Sequence, residues 1–353
     1  MKTIYYSLFL SMLFLASCRS ESTTATTEVQ TIQGETMGTY YKVSYLGREM
    51  TDLKTSVDSL LVALNLEVST YIPEALISRF NHGDLPAIDA ETLQAAPHFL
   101  ANLELSLKIA RATAGNFNPT IMPLVNYWGF GYTEKRPVTA VDSLKIDSLM
   151  AFVGLDKIDY DSVIYGPSAI QLDKATPGTQ LDFSAIAKGY GVDLVAAYLR
   201  QRGINDYFVD IGGEVVASGN KGGTDQPWRV GIALPKEEAS PTDMQAAIPL
   251  INRAVATSGN YRNYYEVNGQ KFSHTINPFT GYPERSNLLS ASILANDCAT
   301  ADGFATACMV LGLDAAYTLI AAQADLEGYF IYSDEEGQLR SKATEGFERL
   351  LPE

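Results

Sequence analysis

Three short segments hold residue types able to handle a phosphorylated ligand. The first, Leu181-Asp182-Phe183-Ser184-Ala185-Ile186-Ala187-Lys188-Gly189-Tyr190-Gly191-Val192-Asp193, runs from an apolar, strand-like lead into a helix start. Ser184 is placed to cap that helix, whose first N–H groups are open to an anion. Gly189 and Gly191 permit close approach, and Asp182 and Lys188 supply a carboxylate and an ammonium. An ordinary strand-to-helix junction would have the same composition. The second segment, Ala301-Asp302-Gly303-Phe304-Ala305-Thr306, puts Asp302 and Thr306 on one helix face at i and i+4. A carboxylate and a hydroxyl so spaced form half a site for a hard cation such as Mg²⁺, which completes its shell with water and phosphate. The same pair would also suit an acid favoured by the helix dipole and a threonine in the core. Small neighbours, Ala301, Gly303, Ala305 and Ala307, leave room for another group on that helix. The third segment, Ser273 to Gly281, embeds His274, one of three histidines, among hydroxyl, amide and turn residues. It suits a general base, a phosphate donor or a turn anchor.

Weaker signals surround these. Met37, Tyr71 and Phe117 sit beside turn residues and could line a slot for a flat ring, although aromatics near glycine turns also serve simple loop packing. Asp210-Ile211-Gly212-Gly213-Glu214 either brings bare backbone to a nucleotide or forms a tight hairpin turn.

The elements that must position these residues are mixed. Periodicity predicts helices over 53–66, 93–113, 143–152, 184–200, 301–311 and 314–322. Alternation predicts strands over 39–45, 207–211, 214–218, 228–234, 254–257, 264–267, 290–295 and 328–332, with a hairpin across 157–172. Hairpins outnumber helical crossovers, so the expected class is α+β with mainly antiparallel sheets and packed helices, as one large domain or two intimately associated lobes.

The N-terminus carries Lys2, an apolar run from Ile4 to Leu15, and then Leu15-Ala16-Ser17-Cys18. That run is too short to span a bilayer, and the whole reads as a signal peptide over 1–17. Its end resembles a bacterial lipobox, with Cys18 lipidated and the mature chain held on a membrane facing the periplasm or the exterior. Residues 18–30 are rich in Ser, Thr and Glu and read as a flexible tether, leaving 31–353 as the folded domain. Removing 1–17 deletes one lysine and no acid, so the formal charge moves from -15 to -16. An acidic chain of this kind is a poor partner for nucleic acid. Cys298 and Cys308, the remaining cysteines, lie ten residues apart on one expected helix, too far apart to bridge, and are expected as buried thiols.

Taken in order, GETMGT (34–39), STYIPEALISRFN (69–81), NFNPTIMPLVNYWGFG (116–131), LDFSAIAKGYGVD (181–193), DIGGE (210–214), SGNY (258–261), HTINPFTG (274–281) and TADGFATA (300–307) resemble the ApbE family of FAD:protein FMN transferases. The resemblance spans nearly the whole mature domain. It implies a Mg²⁺ site made by Ala185, through its carbonyl or nearby atoms, with Asp302 and Thr306. It implies FAD contacts at Met37, Tyr71, Asn116, Phe117, Asn118, Asp182, Lys188 and Ile276. Asn118 stands where the family more often has Asp, which removes one carboxylate from the expected set. The implied reaction moves FMN from FAD to a Thr or Ser hydroxyl of an exported or membrane flavoprotein. For such a reaction His274 is the candidate for managing the proton, with Asp182 as the fallback. Two other functions use the same motifs: an FAD pyrophosphatase yielding FMN and AMP, and a non-catalytic FAD-binding lipoprotein.

Overall fold

The computed structural model describes residues 28–352 apart from 134–137, 139, 161–170, 224–225, 236–243, 261–263 and 268–269. The expected leader, Cys18, most of the tether and the tip of the 157–172 hairpin lie outside the described residues.

In chain order, a hairpin of β1 (Val29–Thr36) and β2 (Thr39–Leu46) leads into α1 (Leu53–Val68), α2 (Leu76–His82), β3 (Ala87–Ile88), α3 (Ala90–Ala95) and α4 (Pro97–Ala112). Then come α5 (Met122–Tyr127), α6 (Ser143–Met150), β4 (Ile158–Tyr160), β5 (Leu172–Lys174) and α7 (Ala187–Gln201). The sheet resumes with β6 (Tyr207–Ile211), β7 (Glu214–Ser218), β8 (Trp228–Ala233), β9 (Met244–Leu250) and β10 (Arg253–Gly259). After β11 (Tyr264–Val267), β12 (Gln270–Ser273) and β13 (Leu288–Ala295), the chain ends with α8 (Cys298–Leu311), α9 (Leu313–Ala321), β14 (Glu327–Ser333), β15 (Leu339–Ala343) and α10 (Glu345–Glu348).

Among the described residues, the largest sheet has eight strands in the order β1-β2-β6-β7-β10-β13-β14-β15, and each neighbouring pair is antiparallel. Strands from both ends of the chain share it, giving the expected α+β architecture. Period-two alternation divides its side chains between two cores. Val216, Ala254, Ala256, Ile293 and Phe330 join the helix-covered core. Their sequence neighbours Val215, Val255, Leu294, Tyr329 and Ile331 pack on the other side with Trp228 and Ile232 of β8, Ile248 of β9 and Phe347 of α10. α7 and α8 lie on the first side, which is where the motifs converge.

Three sequence expectations change. The helix foreseen over 93–113 is broken: Ala96 leaves helical geometry (φ -118°, ψ 68°) and Pro97 opens α4, because proline lacks the N–H a continuing helix needs but suits its first position. Ser184 does not cap α7, which starts at Ala187 without a side-chain cap. Residues 184–186 form a tight turn in which the Ile186 and Ala187 N–H groups donate to the Phe183 carbonyl (3.0 and 2.8 Å). Finally, β1 opens at Val29, so Val29 and Gln30, allotted to the tether, pair with Leu46 and Tyr45.

Candidate active site

Four chain segments, joined by Tyr71, Ser258 and residues between 121 and 130, surround a cavity of about 540 Å³. The first is the loop after α4. Ala114 (φ 49°) and Gly115 (φ 85°) turn the chain sharply, and the Thr113 hydroxyl accepts from the Phe117 N–H (3.1 Å), which delivers Asn116, Phe117 and Asn118 to the cavity wall. The Asn118 side-chain oxygen Oδ1 is held by Thr120, whose N–H (3.0 Å) and hydroxyl (2.7 Å) both donate to it.

The second segment is 181–186, clamped in two places. The Asn81 carboxamide of α2 pairs with the Leu181 backbone in both directions, accepting from its N–H (2.7 Å) and donating to its carbonyl (2.8 Å). The Asp182 N–H donates to the Pro119 carbonyl (2.7 Å), tying this wall to the Asn118 loop. Asp182 is buried at the cavity edge, and its carboxylate accepts from the Ser184 N–H (2.8 Å). Burial raises its pKa against the opposing pull of that N–H. Ser184 and Ala185 complete the wall.

The third segment brings His274, Thr275, Ile276 and Pro278, with His274 edge-on to Phe130 (6.3 Å between ring centres). The fourth is α8, which contributes Thr306 and Val310. The Thr306 hydroxyl lies 3.2 Å from that of Ser258 on β10, another lining residue. Tyr71 projects at the mouth, 64% exposed. Trp128, buried and donating its indole N–H to the Gly281 carbonyl (2.8 Å), closes a side together with Phe130.

The cavity thus gathers Tyr71, Asn116, Phe117, Asn118, Asp182, Ala185, His274, Ile276 and Thr306 from the predicted set. Met37, Lys188 and Asp302 lie outside its lining. Met37 occupies the two-residue β1–β2 turn with Gly38, both at positive φ (50° and 71°), and its Sδ-methyl approaches Gly191 of α7. Asp302 is buried one helical turn before Thr306 and accepts from the Gly189 N–H (3.2 Å). Lys188 is ion-paired to Glu214 of β7 at 2.5 Å.

These last residues form a charged cluster behind the cavity. Burial pushes Asp302 up to about 8; the Lys188 ammonium works against this and the Glu214 carboxylate adds to it. Burial likewise raises Glu214, with Lys188 opposing. For Lys188 itself, burial favours the neutral amine, but the Asp302 and Glu214 carboxylates outweigh it and hold the pKa above its ordinary value. The second oxygen of Glu214 is buried without a hydrogen-bond partner among the described residues. The DIGGE segment forms the tight β6–β7 hairpin turn, and its Glu214 side chain joins this cluster. Its one signal in the sequence was a carboxylate opening the otherwise apolar run Val215-Val216-Ala217.

The small residues of α8 have a packing explanation as well. A Cβ on Gly303 would run into Ile109 of α4 and Ile186, and one on Gly189 would overlap the Cys298 carbonyl oxygen. Close helix contact uses that space. Cys298 and Cys308 are both free and buried, as expected.

The donor chemistry of three of these residues suits a hard cation. The Ala185 carbonyl, the Asp302 carboxylate and the Thr306 hydroxyl are all oxygen donors, the kind Mg²⁺ takes, and Asp302 is a deeply buried acid whose ionised form needs positive charge nearby. Among the described residues no group of three or more His, Cys, Asp or Glu side chains could cage a metal. Water or a ligand's phosphate would have to complete the shell.

Fold and site together define an α+β protein whose cavity combines aromatic side chains with hydroxyl, carbonyl and carboxylate oxygens, a lining suited to a nucleotide with a flat ring. The model of the ApbE family matches residues 37–330, and the chain belongs to that family. It is 36% identical over 343 residues to the FAD:protein FMN transferase of Haemophilus influenzae, covering 96% of this chain and 94% of that protein. With the FAD:protein FMN transferase of Escherichia coli it shares 33% over 335 residues, 92% of this chain and 90% of that one. Among solved structures, the flavin transferase ApbE from Vibrio cholerae superposes with a TM-score of 0.78 at 32% identity, covering 92% of this chain and all of that one.

Proposed function

We propose that this protein is a Mg²⁺-dependent transferase that moves the FMN half of FAD onto a Thr or Ser hydroxyl of an exported flavoprotein and releases AMP. The observation that carries this reading is the joining of Tyr71, Phe117 and Ile276 to Ala185 and Thr306 in one cavity. The first group suits a flat ring and the second suits a diphosphate.

When bound, Mg²⁺ would neutralise charge on the diphosphate and be held by Ala185, Asp302 and Thr306. The acceptor hydroxyl oxygen bonds to the phosphorus on the riboflavin side. The P–O bond to the AMP phosphate breaks, and AMP departs with the bridging oxygen and its electron pair. The hydroxyl proton passes to His274, which lines the cavity, with Asp182 as the other acceptor in reach of the same space. This is catalysis by positioning and electrostatics, so the charged corner should matter more than any single base. The leader and Cys18 support a lipid-anchored location on the periplasmic or outer side of a bacterial membrane. Among the described residues no helix is long and apolar enough to cross a membrane.

The test is incubation of purified protein with FAD, Mg²⁺ and a threonine-bearing flavoprotein acceptor, read as flavin fluorescence on a denaturing gel. A fluorescent acceptor band that Asp302→Ala abolishes is expected. Free FMN and AMP with no labelled acceptor would convert the reading to a pyrophosphatase, and undiminished transfer by Asp302→Ala would overturn the metal corner.

A further inference from the structure

α8 carries two of the three oxygen donors assigned to Mg²⁺, and the third sits on the turn that leads into α7. The relative placement of these two helices therefore sets the metal geometry. At the start of α8 the unpaired N–H groups of a helix N-terminus are met by two carboxylates of different origin. Asp297, the residue just before the helix, accepts from the Thr300 N–H (2.8 Å) and is a local cap. Asp193 comes from α7, more than a hundred residues away in sequence. It accepts from the Cys298 N–H (2.8 Å) with one oxygen and from the Ala299 N–H (2.9 Å) with the other.

Asp193 does not act alone at this junction. Gly189, one turn earlier on α7, lies against the backbone of Cys298 and Ala299 so closely that any Cβ would overlap the Cys298 carbonyl. The Gly189 N–H donates to Asp302 (3.2 Å). The first two turns of α7 therefore grip α8 at its opening residues and again at a proposed metal ligand.

We propose that Asp193 is a positioning residue for the Mg²⁺ corner: its two-pronged bond to α8 sets the rotation and axial register of that helix against α7, and hence the distance of Asp302 and Thr306 from the Ala185 carbonyl. This rests on the Mg²⁺ reading given above. Mg²⁺ demands near-octahedral geometry with short bonds, so small slippage of α8 would disperse the donors. Residues that orient metal ligands in this indirect way typically contribute a factor of 10–100 in affinity or activity.

Asp297 provides the control. Asp193→Asn and Asp297→Ala each weaken one carboxylate cap on the same helix end, but only the first loosens α8 from α7. Mg²⁺ alone, without FAD, is titrated into the full chain and followed by the rise in melting temperature; separately, the half-saturating Mg²⁺ concentration for FMN transfer is measured at saturating FAD. Asp193→Asn is expected to raise the Mg²⁺ requirement roughly tenfold or more in both assays, with Asp297→Ala close to wild type. Should Asp193→Asn fold poorly, Asp193→Glu keeps the charge and displaces it by one methylene; it is expected to recover folding while leaving the Mg²⁺ requirement raised. Equal shifts for the Asp193 and Asp297 variants, or no shift for either, would reduce Asp193 to an ordinary cap and overturn the proposal. A wild type whose melting and transfer ignore Mg²⁺ would instead bring down the metal reading, and this inference with it.

Discussion

The two faces of the eight-stranded sheet are built from the same alternating strands but are filled differently. On the face under β8, β9 and α10, Trp228, Ile248, Leu250, Tyr329 and Phe347 pack as an apolar core, with Tyr329 and Phe347 stacked at 5.3 Å. On the other face, α7 and α8 bury Glu214 and Asp302 around the partly exposed Lys188, beside the cavity. Burying charge is unfavourable unless it is paired, so the helical face depends on the Lys188–Glu214 ion pair where the opposite face depends on packing alone. Substitutions on the apolar face should therefore show mainly as lost stability, and those on the helical face mainly as lost transfer.

The largest expected effect is on the apolar face. Phe347 is fully buried, and Phe347→Ala should lower stability by about 3–5 kcal/mol. A urea unfolding curve reads this as a lower midpoint. Transfer measured well below that midpoint should persist, and its loss would mean that the faces are not independent. On the helical face the balance reverses. Asp302→Asn should reduce FMN transfer by roughly 10²–10³-fold, the scale of removing a key electrostatic group. It should leave the metal-free protein melting no lower than wild type, because it replaces a buried acid already pushed up to about 8. Loss of stability alongside activity would make Asp302 a structural residue.

A smaller effect is expected one residue further from the chemistry. Glu214→Gln keeps the shape of the Lys188 partner but not its charge. Since about a third of the Lys188 side chain remains solvent-exposed, screening limits the loss to about 1–2 kcal/mol of stability. A double-mutant cycle with Lys188→Met measures the coupling; additive changes would show that the pair contributes nothing beyond its separate residues.

How much of this was legible in the sequence depended on distance along the chain. Residues inside one short motif, such as Asn116 to Asn118 or Asp182 to Ala185, were found because neighbours in sequence line the same wall. Met37 and Lys188 were singled out as well, yet the fold places them beyond the cavity lining. The α7–α8 grip was invisible, because Asp193 reaches Cys298 across 105 positions and no local pattern marks a cap supplied from another helix. Asn81 was missed in the same way, since its bond to Leu181 spans 100 positions. On the other face, β9 escaped notice because Pro249 interrupts Met244–Leu250, and proline argues against a paired central strand. The structure accommodates it in the two-stranded β8–β9 sheet, at the Arg229 register.

The finest distinction between the faces is a pH slope. Burial pushes Asp193 up to about 7 despite its two N–H bonds, with Asp297 reinforcing and Arg200 opposing the shift. In the unfolded chain the same carboxyl returns to its ordinary value of 3.8. Between about pH 4 and pH 7 the folded protein therefore holds a proton that the unfolded chain has released, so stability falls as pH rises across this window and levels off above it. The contribution cannot exceed about 1.4 kcal/mol per pH unit, the value of one proton. Asp182, Glu214 and Asp302, also raised, tilt the curve the same way, so the difference between variant and wild type is the readout. Melting temperature followed from pH 4 to pH 8 should fall less steeply for Asp193→Asn than for wild type. Phe347→Ala should lower the whole curve without changing its shape, because the phenyl ring it removes carries no proton to exchange. Parallel curves for wild type and Asp193→Asn would show that the carboxylate gripping α8 stays ionised throughout, and that the α7–α8 junction bears its charge more easily than its burial implies.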